Sequence, residues 1–193
     1  MLDLIFRQSL EAAAGLDDLS VAARGAIETL ILSPRPVDLL DQLRMIWSGL
    51  PPEVAARVEL PGDEGREVTV DAARLRQVLR NLLTAAARTE DCRIWIQTRH
   101  QGRWARVLVW HDGPALPQEE RLAVFDGPNQ PLHRLDRLSL SVASQLARRM
   151  GGDLTYQSKG LRHCFVLVLP QADDGIKPED QLESPRLVHP VPD

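Results

Sequence analysis

A chain of 193 residues, 44% hydrophobic and 26% charged, can build one domain core plus a short appendage, and it has no apolar run near the roughly 20 residues that cross a bilayer. Its net charge of −4 sits at one end. Residues 171–193 hold six acidic residues against Lys177 and Arg186, which leaves the rest neutral and argues against electrostatically driven nucleic-acid binding.

The N-terminal apolar stretch is interrupted by Asp3, Arg7 and Glu11, which is wrong for a signal peptide. The two cysteines, Cys92 and Cys164, read as buried free thiols, and the cytoplasm is the expected location. Residues 1–35 carry Leu2, Ile5, Phe6, Leu10, Leu19, Ile27, Leu30 and Ile31 at helical spacing, with a break near Gly15 and a stop at Pro34 and Pro36. Such a stripe cannot bury itself, so this segment is expected to be helical and to pair with a second copy or dock on the main domain.

A helix is predicted from Val37 to Trp47. Val58 and Leu60, then Val68 and Val70, alternate around the turn Pro61–Gly65 and predict a hairpin. Asp71 suits a helix N-cap, and Leu75, Val78, Leu79, Leu82, Leu83 and Ala86 form the apolar face of the helix that follows. Strands are predicted at Cys92–Thr98 and Trp104–Trp110, then a short helix at Gln118–Val124. A long helix over Asp136–Met150 stops at Gly151-Gly152, and a hairpin of Leu154–Gln157 with Cys164–Leu169 follows. The order predicts an α+β fold over residues 36–170, a two-layer α/β sandwich in which one mixed sheet is covered on one face by helices. Residues 171–193, acidic and carrying Pro178, Pro185, Pro190 and Pro192, read as a flexible tail or one ordered only by docking.

Five segments in order carry a resemblance. The run from Val70 to Thr89, with Asn81 in its middle, resembles the N-box helix of the sensor histidine kinases, members of the GHKL ATPase superfamily shared with gyrase, Hsp90 and MutL. Val107 to Pro117, with His111-Asp112-Gly113, is similar to their adenine-binding strand and loop. Leu122-Ala-Val-Phe125 looks like the F-box. Leu138 to Leu154 resembles the last helix with its Gly-Gly turn, and Ser158 to Pro170 the closing strand. The resemblance covers about residues 36–170 and implies the histidine kinase ATPase fold, with ATP and Mg²⁺ as the family's ligands.

The departures fall on those ligands. The family's N-box offers two polar residues four apart, the second an Asn that ligates Mg²⁺. Here Asn81 keeps the first place and Ala85, with no lone pair, takes the second. The family's adenine-reading Asp is replaced by His111 and its second loop Gly by Ala115; Asp112 could serve only in a shifted register, while Gly113 survives. Arg137 and Ser139 stand in place of the Gly-x-Gly that lets backbone N–H groups hold phosphate. Arg162 replaces the second glycine of a later pair that begins at Gly160. Pro128 replaces an aromatic, and the lid between Phe125 and Leu138 is short. Asn81, His111, Asp112, Gly113 and Arg137 thus mark a vestigial nucleotide pocket. Asn81 is expected on a helix shoulder, His111 at the surface, and His133, Arg134, Arg137 and Arg162 as a solvated rim.

The five histidines, His100, His111, His133, His163 and His189, all lie beyond residue 36, so the N-terminal helices hold no phospho-acceptor. The expected function is a non-catalytic, pseudokinase-type module of two-component signalling, with no cofactor, metal ion or catalytic residue. It would dimerise through the N-terminal helices and contact a response regulator or kinase. One alternative is an active, divergent kinase subunit that binds ATP and Mg²⁺ and phosphorylates a His on another chain. Another is a small-molecule or anion sensor reusing the old pocket.

Overall fold

The computed structural model describes residues 30–62, 67–121 and 135–172, except the side chains of 120 and 135–138. Leu2, Ile5, Phe6, Leu10, Leu19 and Ile27, the F-box segment, and the tail from residue 173 lie outside the described residues.

Strand β1 (Arg35–Asp38) is the first described element and pairs antiparallel with β3 (Glu67–Val70), Arg35 opposite Val70. The predicted helix therefore starts two residues late. Asp38 ends the strand and caps helix α1 (Leu39–Ser48), its carboxylate accepting the N–H of Asp41 at 2.9 Å. A short helix α2 (Pro52–Ala55) follows with proline at its first turn, an element not anticipated from the sequence.

The predicted hairpin of residues 58–70 is corrected. Val58 belongs to β2 (Val58–Glu59), which runs parallel to β4 (Ile94–Gln101), whereas Val68 and Val70 pair with β1. Alternation identifies a strand but not its partner. Here the partner is set by contacts distant in sequence: Arg57 reaches the 89–92 turn, bonding the carbonyl of Thr89, while its own carbonyl accepts the N–H of Ile94.

Helix α3 (Ala72–Ala86) begins at Asp71, whose carboxylate accepts N–H groups of Ala73, Arg74 and Ser33. Strands β4 and β5 (Trp104–His111) join through the two-residue loop Gly102-Arg103, where Gly102 takes φ of 54°. Helix α4 (Gln118–Arg121) is short; helix α5 (Leu135–Arg149) ends at Gly151, with φ of 81°, and Gly152, whose N–H bonds the Ala147 carbonyl. A Cβ on Gly152 would stand 1.9 Å from the Val168 carbonyl oxygen, so only glycine lets this helix end lie against the sheet. Strands β6 (Asp153–Lys159) and β7 (Arg162–Pro170) close the chain.

The five-stranded sheet runs β2-β4-β5-β7-β6, antiparallel except for β2. Helices α1, α3 and α5 share one core with one face of it: Leu75, Val78, Leu79, Leu82, Val142 and Leu146 are buried against Ile94, Ile96, Val107, Val109, Phe165 and Leu167. This is the mixed sheet covered by helices that the sequence predicted. The opposite face carries a second cluster, Leu108, Trp110, Cys164, Val166 and Val168, which includes no residue of a described helix.

At the N-terminal edge the expected apolar stripe divides. Leu30 packs against the helix-side core, and its carbonyl accepts from the Arg149 guanidinium at 2.9 Å; Ile31 is 92% exposed. Among the described residues no helix is long and apolar enough to cross a membrane.

Candidate functional site

The candidate residues lie on α3, in the first turn of α5, and at and just after the end of β5. Residue 81 faces α5 because it falls three positions after Val78 on the buried side of α3. Asn81 is not on a shoulder. It is 4% exposed, and its amide Nδ2 donates to the Ser139 carbonyl at 2.9 Å, tying α3 to the first turns of α5. Ala85, one turn on, is half-buried at the edge of the helix-side core.

Helix α5 already begins at Leu135, so Arg137 lies in its first turn and Ser139 one turn inside. Backbone N–H groups from the second turn onward are spent on the helix's own carbonyls, which leaves only those of the first turn open. The Arg137 side chain, His133 and Arg134 are outside the described residues. Arg162 does not join a rim here. It stands at the β6–β7 turn with its guanidinium over the Trp95 ring at 5.6 Å, on the opposite face of the sheet.

His111 departs furthest from expectation. Strand alternation puts it in phase with Val107 and Val109, on the helix side, and it is 2% exposed instead of lying at the surface. Its ring sits among Phe165 (centroids 5.8 Å apart), His163 (5.3 Å) and Tyr156 (6.4 Å). Both ring nitrogens are enclosed, and neither has a hydrogen-bond partner among the described residues. Burial, then the positive charge that His163 can carry, push its pKa down to about 4; Arg88 acts the same way, and Asp112 opposes. His111 is therefore a neutral imidazole used as a packing group.

His163, directly across from His111 on β7, is lowered too, first by burial and then by Arg121; its Nδ1 lies 3.1 Å from the Ser158 hydroxyl. Tyr156 accepts the Leu116 N–H on its hydroxyl at 2.9 Å, holding the loop that follows His111 over the ring cluster. His163 and Tyr156 could not be foreseen as neighbours of His111, because the β5–β7 and β6–β7 registers bring them together across some fifty residues of chain.

Asp112 turns away from this cluster. It is exposed, and its carboxylate accepts the Arg93 N–H at 2.7 Å, in an open groove at the β2–β4 edge that Arg57 and Trp95 also line. Gly113 is kept by packing: a Cβ there would come within 3.1 Å of both Cys92 Cβ and the Thr89 hydroxyl. Of the five candidate residues, then, Asn81 lies at the α3–α5 junction, Arg137 falls in the first turn of α5, His111 is buried against β6 and β7, Gly113 packs on the α3–β4 loop, and Asp112 faces the sheet edge.

An N-box-like helix and a Gly-Gly-ended helix on a mixed sheet, converging on the end of β5, define an ATPase sandwich of histidine kinase type. The chain belongs to the family of histidine kinase-, DNA gyrase B- and HSP90-like ATPases, whose profile matches residues 70–173. It is 28% identical over 137 residues to the aerobic respiration control sensor protein ArcB of Escherichia coli strain K12, covering 63% of this chain and 18% of that protein. It is 26% identical over 120 residues to the phytochrome of Mougeotia scalaris, covering 56% of this chain and 11% of that one. The chain thus spans less than a fifth of the curated relatives it matches.

Among solved structures, full-length ShkA in complex with AMPPNP superposes with a TM-score of 0.68 at 25% identity, covering 88% of this chain and 38% of that one. The nucleotide-free catalytic domain of histidine kinase ThkA gives 0.62 at 22% identity, over 72% of this chain and 98% of that one, a likeness of fold.

Proposed function

We propose that this chain is a non-catalytic, pseudokinase-type module of two-component signalling, which keeps the histidine kinase ATPase fold for protein contacts and binds ATP weakly or not at all. The observation that carries this reading is His111. The residue in the place of the family's adenine reader has both nitrogens enclosed by its own domain, with no lone pair offered outward. Asn81 adds to it, since its amide donates to Ser139 across the α3–α5 junction, and Ala85 brings no oxygen to a metal ion. The described residues do not match the donor set that ATP with Mg²⁺ requires in this family. Calorimetric titration of the full chain with ATP and Mg²⁺ is expected to give a Kd weaker than about 1 mM, less than roughly 4 kcal/mol. A micromolar constant overturns the reading.

A specific observation favours the second reading, an active but divergent kinase subunit acting on a His of another chain: the ShkA structure that superposes over most of this chain was solved with AMPPNP bound. The same titration separates the two.

The partners proposed are a second copy of this chain, joined through residues 2–33, and a response regulator or kinase. The apolar stripe of that segment supports the dimer, with exposed Ile31 available to it, whereas Leu30 is already used by its own domain. Light scattering at tens of micromolar should report a dimer; a monomer removes this part of the proposal.

A further inference from the structure

The outer face of the five-stranded sheet is built like an interior. Trp95 and Trp110 stack with centroids 6.1 Å apart and planes within 3° of parallel, and Leu108, Cys164, Val166 and Val168 continue the strip along β5 and β7. Leu108 is 1% exposed and Cys164 0%, although every described helix of the core lies on the other side of the sheet. A bare sheet face does not shield its central residues so completely, and an apolar strip of this kind marks a docking surface.

The face also has a definite polarity. The indole N–H groups of Trp104 and Trp110 and the Nε of Arg106 are enclosed with no acceptor among the described residues. Exposed Arg99 and Arg162 stand in phase with them at the rim; of the acidic residues in phase, Glu59 lies opposite Trp95 at the β2 edge and Asp153 is held by Arg148 at 3.2 Å, so with Arg106 the basic groups prevail along the strip. What covers this strip must be apolar enough to exclude water, rich in acceptors, poor in donors and negatively charged.

We propose that this face is the docking surface for the chain's own acidic, proline-rich tail, residues 173–193. The tail brings six carboxylates against two basic residues. Four prolines supply carbonyls with no matching N–H, and Ile176, Leu182, Leu187, Val188 and Val191 supply apolar side chains. Extended proline-rich segments seat on aromatic-lined surfaces because their backbone is already ordered, and tryptophan rings offer the flat apolar face that proline rings need.

The tail also starts in the right place. Pro170 pairs with Trp104, the Gln171 N–H donates to the Arg103 carbonyl at 2.9 Å, and the Ala172 N–H donates to the Glu67 carbonyl, so the last described residues lie at one end of the tryptophan strip. At about 3.1 Å per residue, residues 173–193 span roughly 60 Å, more than twice the length of an eight-residue strand. Attachment beside the site gives a high effective concentration, so even weak contacts suffice. The N-terminal segment is the poorer fit, because it enters on the helix side, where the Leu30 carbonyl is bonded by Arg149 and the Ser33 N–H by Asp71.

The test uses the full chain with ¹⁵N-labelled tryptophan and a spin label at Glu183→Cys, both native thiols being buried. The indole N–H signals of Trp95, Trp104 and Trp110 should lose most of their intensity to the label, while that of Trp47, on α1, keeps its own. Adding Arg99→Glu and Arg106→Glu should restore the three signals, with circular dichroism and chemical shifts of the helix layer showing that the domain remains folded. Unchanged intensities for all three overturn the proposal. Broadening from a label at Glu11→Cys but not from Glu183→Cys assigns the face to the N-terminal segment instead. Broadening that appears only when spin-labelled, unenriched chain is mixed with label-free ¹⁵N chain assigns it to a second copy.

Discussion

Two stripes run along helix α3, and they have been treated differently. Leu75, Val78, Leu79 and Leu82 point into the core and are what any helix on a mixed sheet requires. Asn81 and Ala85 lie on the stripe toward α5, where the family places its metal-binding donors; here one is an amide bonded to a neighbouring helix and the other a methyl. The first stripe depends on volume and apolarity, which many residue combinations satisfy. The second depends on single lone pairs at fixed points, which few residue types supply.

The largest effect should follow from breaking the core stripe. Leu82→Ala is expected to cost about 2–5 kcal/mol, the sum of lost transfer energy and the cavity left behind, read as a drop in the denaturant midpoint with unchanged slope.

The pH dependence sharpens the other side. His111 is neutral when folded, with a pKa of about 4 against 6.5 in an unfolded chain. Between those values the unfolded state takes up a proton that the folded state refuses. Stability from this group is complete above pH 6.5 and falls by about 3 kcal/mol as pH drops to 4. His163, lowered as well, adds to the same limb. Chemical denaturation between pH 7 and 4 should show the slope, and His111→Leu should flatten it and leave stability at pH 7 equal or higher, since two enclosed unpaired nitrogens are removed. If the slope persists unchanged in the variant, His111 is not the packing group described here.

The smallest effect belongs to a cap. Burial works to raise the pKa of Asp71, but bonds from the N–H groups of Ser33, Arg74 and Ala73, with the charge of Arg74, hold it below its ordinary 3.8. Its contribution is present at neutral pH and fades as the carboxyl protonates in acid. Asp71→Ala should cost about 1 kcal/mol at pH 7 and less at pH 3, compared by thermal melts.

Much of the fold was legible in order. The periodicity of Leu75 to Ala86 and the Gly151-Gly152 stop located both long helices to within a residue or two, because a buried helical face and a left-handed end leave a local imprint. The β4–β5 and β6–β7 hairpins were legible for the same reason: their turn residues and alternation are neighbours in sequence. The strand β1 was missed because Pro36-Val37-Asp38 has no period of its own; it becomes a strand only through β3. The candidate site was legible as a set of replaced residue types and illegible as geometry. His111 stood out in the His111-Asp112-Gly113 motif, whereas its burial beside His163 and Tyr156 could not be read there.

By itself, the sequence determined which residues are apolar and at what spacing, hence the helices, the hairpins and the sandwich class. The tertiary structure alone decided which strand β3 would join, whether Asn81 would face a ligand or Ser139, and whether His111 would open outward or close on its own domain. The physical reason is distance along the chain. Period and capping act over a few residues, where the pattern can be read directly, while a partner some fifty residues away is selected by the burial energy of the whole assembly.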